Sequence, residues 1–173
     1  MDEIEIVAYD PRWPELYEIE RRRLMPVLDP LGLIEIAHIG STAVPGLAAK
    51  PVIDIAATVA LLDAVRERGI GALESLGYLF WAKNPDPEDL FFVQGLPPRA
   101  VRRTHHLHIS EPGARFEVRL RFRDTLRADA GVAQRYAALK QILSARYASD
   151  REAYTEAKTA FIVAVLGTAM RAP

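Results

Sequence analysis

The chain has 173 residues, half of them hydrophobic, and a formal net charge of −1. That is enough for one domain, 1–173, with a sizeable core, and it gives no global electrostatic pull toward nucleic acid. Cysteine is absent, which excludes disulfides, a thiol nucleophile and a cysteine-based zinc site.

The opening Met1-Asp2-Glu3-Ile4-Glu5 lacks the basic region and apolar core of a signal peptide, and no apolar run reaches bilayer length. The expectation is a cytoplasmic protein with no membrane partner. Ile4 to Val7 alternates weakly and reads as a short strand or an extended arm. Pro14 suits the first turn of a helix running to Leu28, with Leu16, Tyr17, Leu24, Val27 and Leu28 on one stripe. Glu20 falls within that stripe, where it either pairs with Arg23 or Arg12 or faces a site. Asp29-Pro30-Leu31-Gly32 ends the helix.

Leu33 to Ile39 reads as the first core strand. Gly40-Ser41 and a turn-rich connector follow, and a second apolar run, Val52 to Val59, carries Asp54. Gly40 lets a backbone or ligand approach closely. Ser41 and Thr42 offer hydroxyl and N–H groups suited to phosphate. Asp54 is the kind of isolated strand carboxylate that holds a divalent cation. His38 is either a packed, hydrogen-bonded residue or part of this site. Lys50, at the strand entrance, either neutralises a phosphate or is solvated.

Leu61 to Leu76 reads as a helix weakened by Gly69 and Gly71. Tyr78 to Trp81 and Leu90 to Val93 read as antiparallel strands. Arg99, Arg102 and Arg103 form a solvated charge run or collect phosphate. Thr104 to Ser110 is the next strand, with His106, His108 and Ser110 on one face and His105, Leu107 and Ile109 on the other. Beside the Asp54 strand, His106 and His108 would complete a mixed oxygen–nitrogen site favouring Zn²⁺ or Mn²⁺, or act as acid and base. The alternative is a His pair that orders a polar face of the sheet. Phe116, Val118, Leu120 and Phe122 alternate with charged residues, a strand-like period. Two helices follow. The first runs from Gly131 to Tyr147 and buries Val132, Tyr136, Leu139 and Leu143. The second starts at a capping-box pattern, Ser149 to Glu152, with an inner stripe of Ala153, Ala157, Ala160, Phe161, Ala164 and Val165. By composition alone Arg123, Lys140 and Lys158 are surface charges.

Gly40-Ser41, the spacer Thr42 to Ile53, and Asp54 between apolar residues resemble the signature of the nucleotidyltransferase (polymerase-beta-like) superfamily. His38 to Asp54 resembles, more narrowly, the hallmark of the GrpB family of bacterial proteins. Val7 to Trp13, His105 to His108, Phe122-Arg123-Asp124 and Tyr154 to Phe161 resemble the rest of that family in order. The resemblance implies an α+β, nucleotidyltransferase-like mixed sheet of about five strands flanked by helices, with an α-helical C-terminal third. It makes Phe122 to Asp124 helical and carries Arg123, Asp124, Tyr154 and Lys158 over as cleft residues. The expected function is binding of a phosphate-bearing small molecule, a nucleotide or coenzyme A-type compound, with metal-dependent nucleotidyl transfer. Gly40, Ser41, Thr42, Lys50, Arg123 and Lys158 would bind phosphate. Asp54, His106 and His108 would hold Mg²⁺, Mn²⁺ or Zn²⁺ and serve catalysis. One departure stands out, because the superfamily pattern has a second carboxylate where this chain has Ala56. That departure favours the alternative, a non-catalytic regulatory or interaction module on the same fold.

Overall fold

In the computed structural model, which describes residues 4–97 and 100–169, α1 spans Trp13–Leu28. Trp13, Tyr17, Glu20, Leu24 and Leu28 turn inward at helical spacing. The sequence-predicted start at Pro14 is one residue late. Glu20 is buried on the core side, where it pairs with Arg23 at 2.6 Å and accepts from the Tyr78 hydroxyl at 3.0 Å. These partners are those of a structural residue. Residues 4–9 form an extended arm rather than a strand, tied by one bridge between Val7 and Ala49 and by a bond from Ile4 N–H to Ala148.

Five strands form one mixed sheet: β1 (Leu33–Ile39), β2 (Ile53–Val59), β3 (Tyr78–Phe80), β4 (Leu90–Gln94) and β5 (His105–Ser110), in the order β1-β2-β5-β4-β3. Only the central pair, β2 with β5, is parallel. Its register sets Asp54 beside His106, Ala56 beside His108 and Thr58 beside Ser110. The predicted helix between β2 and β3 is broken into α2 (Leu62–Ala64), a π-turn (Val65–Gly69) and α3 (Ile70–Ser75). Gly69 is buried there, and a Cβ on it would lie 2.8 Å from Leu31 Cδ1.

Period-2 alternation divides the sheet cleanly. Ile55, Val59, Phe92, Leu107 and Ile109 face α1 and α3 and are fully buried with Leu24, Leu28 and Leu73. The opposite face carries Asp54, His106, Ala56 and His108. Its apolar part, Ile39 and Ala56, is covered by Phe116 and Leu120 of α4 (Ala114–Ala128).

The strand-like period of residues 116–122 is overturned, and the helix implied by resemblance stands. α4 has two apolar faces. Phe116 and Leu120 meet the sheet, while Phe122 and Leu126 meet Val44, Leu47 and α5 (Ala130–Arg146). Two stripes on one helix mimic alternation. The final helix, α6, spans Arg151–Ala169. Its inner stripe is Tyr154, Ala157, Phe161 and Val165; Ala160 and Ala164 are exposed, against the sequence reading. The cap also differs from the sequence reading. Asp150, not Ser149, accepts the Ala153 N–H at 3.0 Å. Arg99 of the predicted arginine cluster lies outside the described residues. No helix among the described residues is long and apolar enough to cross a membrane.

Asp150→Ala removes this cap and should cost about 1 kcal/mol. Thermal unfolding should show a melting temperature about 2–4 °C lower, whereas Ser149→Ala should leave it unchanged.

Candidate functional site

The turn after β1 is shaped by a close approach. Gly40 has φ +70°, and a Cβ on it would lie 2.4 Å from Asp54 Oδ2. Both the conformation and the contact require glycine. Ser41–Ala43 then make one 3₁₀ turn. Thr42 is buried, 3.0 Å from His38 Nε2, and its hydroxyl donates to the Val52 carbonyl at 3.3 Å. Its hydroxyl therefore ties the turn to β2 and is engaged away from any ligand. His38 stacks on Tyr17 with ring centroids 4.8 Å apart. Burial pushes its imidazole down to about 4, so it is neutral at physiological pH. His38 is thus packed and hydrogen-bonded.

Asp54 and His106 form a dyad, with Nδ1 and Oδ1 2.9 Å apart. Burial opposes ionisation of Asp54, but the His106 hydrogen bond and the Lys50 ammonium outweigh it, and the carboxyl titrates at about 2. An ionised carboxylate only accepts, so His106 carries its proton on Nδ1. Burial holds the imidazole below its ordinary pKa, and its Nε2 is buried with no hydrogen-bond partner among the described residues. His108 does not join this pair. Its Nδ1 lies 2.9 Å from Asp89, which also pairs with Arg119 at 2.6 Å.

Three lysines converge near the dyad. Lys140 Nζ donates to Ser41 Oγ at 2.9 Å and to the Ala48 carbonyl. It lies 4.9 Å from the centre of the Tyr136 ring. Lys158 and Lys50 lie 4.3 and 5.1 Å from the centre of the Tyr154 ring, which is fully buried. Burial, then the charges of Lys158 and Lys50, push the Lys140 ammonium down to about 7; Asp54 works in the opposite direction. Burial, then Lys50, push Lys158 down to about 8. Ring faces and carbonyls are what such cations can use in place of carboxylates.

The structure thus gathers Ser41, Lys50, Asp54, His106, Tyr154 and Lys158 of the sequence-predicted set. It adds Lys140 and Tyr136, which the sequence reading left as surface charge and core. The predicted phosphate ligand Arg123 instead donates to the His38 carbonyl at 3.0 Å and pairs with Asp124 at 2.7 Å. Arg127 bonds the Ala43 carbonyl at 2.9 and 2.7 Å. These arginines staple α4 to the Gly-Ser turn. Asp124 is exposed beside them.

The donor set does not fit a two-metal centre. Asp54 offers one carboxylate, Ala56 is packed against Ile39 and Phe116, and no group of three His, Asp or Glu side chains gathers among the described residues. The predicted triad of Asp54, His106 and His108 is divided between two carboxylates.

Gly40→Ala should lower unfolding free energy in urea by about 2 kcal/mol or more, since it forces a strained φ and displaces the Asp54 carboxylate. Lys158→Met should do the reverse, removing a buried charge that repels two others. A rise in melting temperature of about 2–4 °C corresponds to about 1 kcal/mol. Lys140 and Lys158 are held below their unfolded value of 10.5, so the unfolded chain binds more protons between about pH 7 and 10. Stability of the ligand-free protein should therefore rise from pH 7 to pH 9 in urea titrations, less steeply in Lys158→Met.

The family described as GrpB protein matches residues 3–168. The chain is 44% identical over 174 residues to the UPF0157 protein of Pseudomonas aeruginosa, covering 99% of this chain and 69% of that one. Its fold is similar to the crystal structure of the conserved protein GrpB from Enterococcus faecalis, with a TM-score of 0.84 and 31% identity over 96% of this chain and 98% of that one. Cid1 in complex with the UTP analogue UMPNPP superposes more loosely, with a TM-score of 0.48 and 11% identity over 88% of this chain and 48% of that one, too loosely to bear on function. On the family match and the identity to these relatives, the chain belongs to the GrpB family.

Proposed function

We propose that this protein binds a phosphate-bearing small molecule, a nucleotide or a coenzyme A-type compound, where the Gly40-Ser41 turn, the start of β2 and the lysines of α5 and α6 come together. One observation carries the reading: Lys50 and Lys158 lie at one buried Tyr154 ring, Lys140 donates to Ser41 of the Gly-Ser turn, and burial and mutual repulsion strain Lys140 and Lys158 toward neutrality. An anion would relieve that strain and accept charge-assisted hydrogen bonds. The layout supports a nucleotidyltransferase-type site, with a Gly-Ser turn after one strand and an aspartate on the next. Ala56 favours binding without transfer, because the face that would carry the second carboxylate is apolar and covered by α4.

A thermal-shift screen tests this. Nucleotides, coenzyme A precursors and inorganic phosphate should raise the melting temperature by mass action, and nucleosides lacking phosphate should not. In Lys140→Met the shift should shrink by more than half. No shift with any phosphate compound, or an equal shift in Lys140→Met, would sink the reading.

A further inference from the structure

A nucleotidyltransferase-type site ordinarily brings its phosphates to the protein through divalent cations held by paired carboxylates. Here the pairing is absent. Ala56 takes the second position and packs against Ile39 and Phe116. Asp54 Oδ1 is engaged by the His106 ring at 2.9 Å, Oδ2 lies where a Cβ on Gly40 would stand, and the Asp54 side chain is 31% exposed. Lys50, Lys140 and Lys158 act electrostatically on one another and on Asp54. Three ammonium groups that act on one another and on Asp54 disfavour a divalent cation there and favour a dianion. Two aromatic rings hold those ammoniums at 4.3 to 5.1 Å, so the cluster is fixed by packing and not by loose surface side chains.

We infer that Lys50, Lys140 and Lys158 bind the terminal phosphate dianion of the ligand directly, with no divalent cation between, and that Asp54 serves as the counter-anion orienting His106 and the lysines. The inference rests on the phosphate-binding reading above and narrows it to a ligand ending in a phosphomonoester or pyrophosphate. A phosphodiester carries one negative charge on the group and lacks the third terminal oxygen, so it matches three ammonium donors poorly.

Isothermal titration calorimetry on the whole chain, stripped of metal and held in EDTA, decides it. Inorganic pyrophosphate should bind in EDTA and no more tightly in excess Mg²⁺. A nucleoside 5′-monophosphate should bind about tenfold or more tightly than its 3′,5′-cyclic diester, as expected for the loss of a charge-assisted contact. Lys158→Met should weaken pyrophosphate binding in EDTA by a similar factor. Asp54→Asn, which keeps an acceptor for His106, should bind at least as tightly as the wild-type chain. Binding that requires Mg²⁺, or is lost in folded Asp54→Asn, overturns the inference and leaves the phosphate reading in place. Equal binding of monoester and cyclic diester overturns the terminal-dianion assignment. No binding in either buffer overturns both. If Asp54→Asn fails to fold, the wild-type comparison in EDTA and Mg²⁺ is sufficient.

Discussion

The Asp54 carboxylate lies in the space that a side chain at residue 40 would occupy, and much of the molecule is arranged around that contact. Ile39 pairs with Asp54 across β1 and β2, so the chain must turn away immediately afterwards without carrying a Cβ into the carboxylate. Glycine at φ +70° does this. The turn then delivers Ser41 to Lys140, while Thr42, His38, Arg123 and Arg127 fasten it to β2 and α4. On the other side, parallel pairing of β2 with β5 brings His106 to the same carboxylate. One glycine therefore makes room for the group that organises the imidazole and the cations together.

Holding three lysines near one another is a cost that a stability-optimised domain would avoid. Burial disfavours each ammonium, and each disfavours its neighbours. The protein offsets part of this with the Ser41 hydroxyl, the Ala48 carbonyl, the faces of Tyr136 and Tyr154, and Asp54. The remainder is a local conflict between fold and charge, of the kind found where a structure is prepared for something it does not yet hold. Glu20 makes an instructive contrast. It too is buried and charged, yet it has Arg23 and the Tyr78 hydroxyl as partners, and it reads as architecture.

Much of this was legible in the sequence. Alternating and helical periods located the five strands, α1 and α5 to within one or two residues, and the Gly-Ser turn and Asp54 stood out as chemistry. Resemblance supplied Tyr154 and Lys158. What failed did so for local reasons. Residues 116–122 looked like a strand because α4 packs on two sides. The capping box pointed to Ser149 because Asp150 is an equally good acceptor one position later. His106 and His108 share a face, but period alone could not show that Asp89 would claim the second. Lys140 was missed although its signal was present. It stands in the inner stripe Val132, Tyr136, Lys140 and Leu143, and a lysine at such a position calls for a partner. Without the fold, nothing says that the partner is Ser41, 99 residues earlier.

That separation bears on how the molecule is made. Turn, carboxylate and imidazole belong to the first two thirds of the chain, and two of the three cations arrive on the last two helices. A ribosome-bound chain that has emerged only as far as β5 still lacks the side chains of Lys140, Tyr154 and Lys158. The closure is long-range in sequence and so among the entropically slower events of folding. The repulsion among the three lysines is therefore met in full only when α5 and α6 dock.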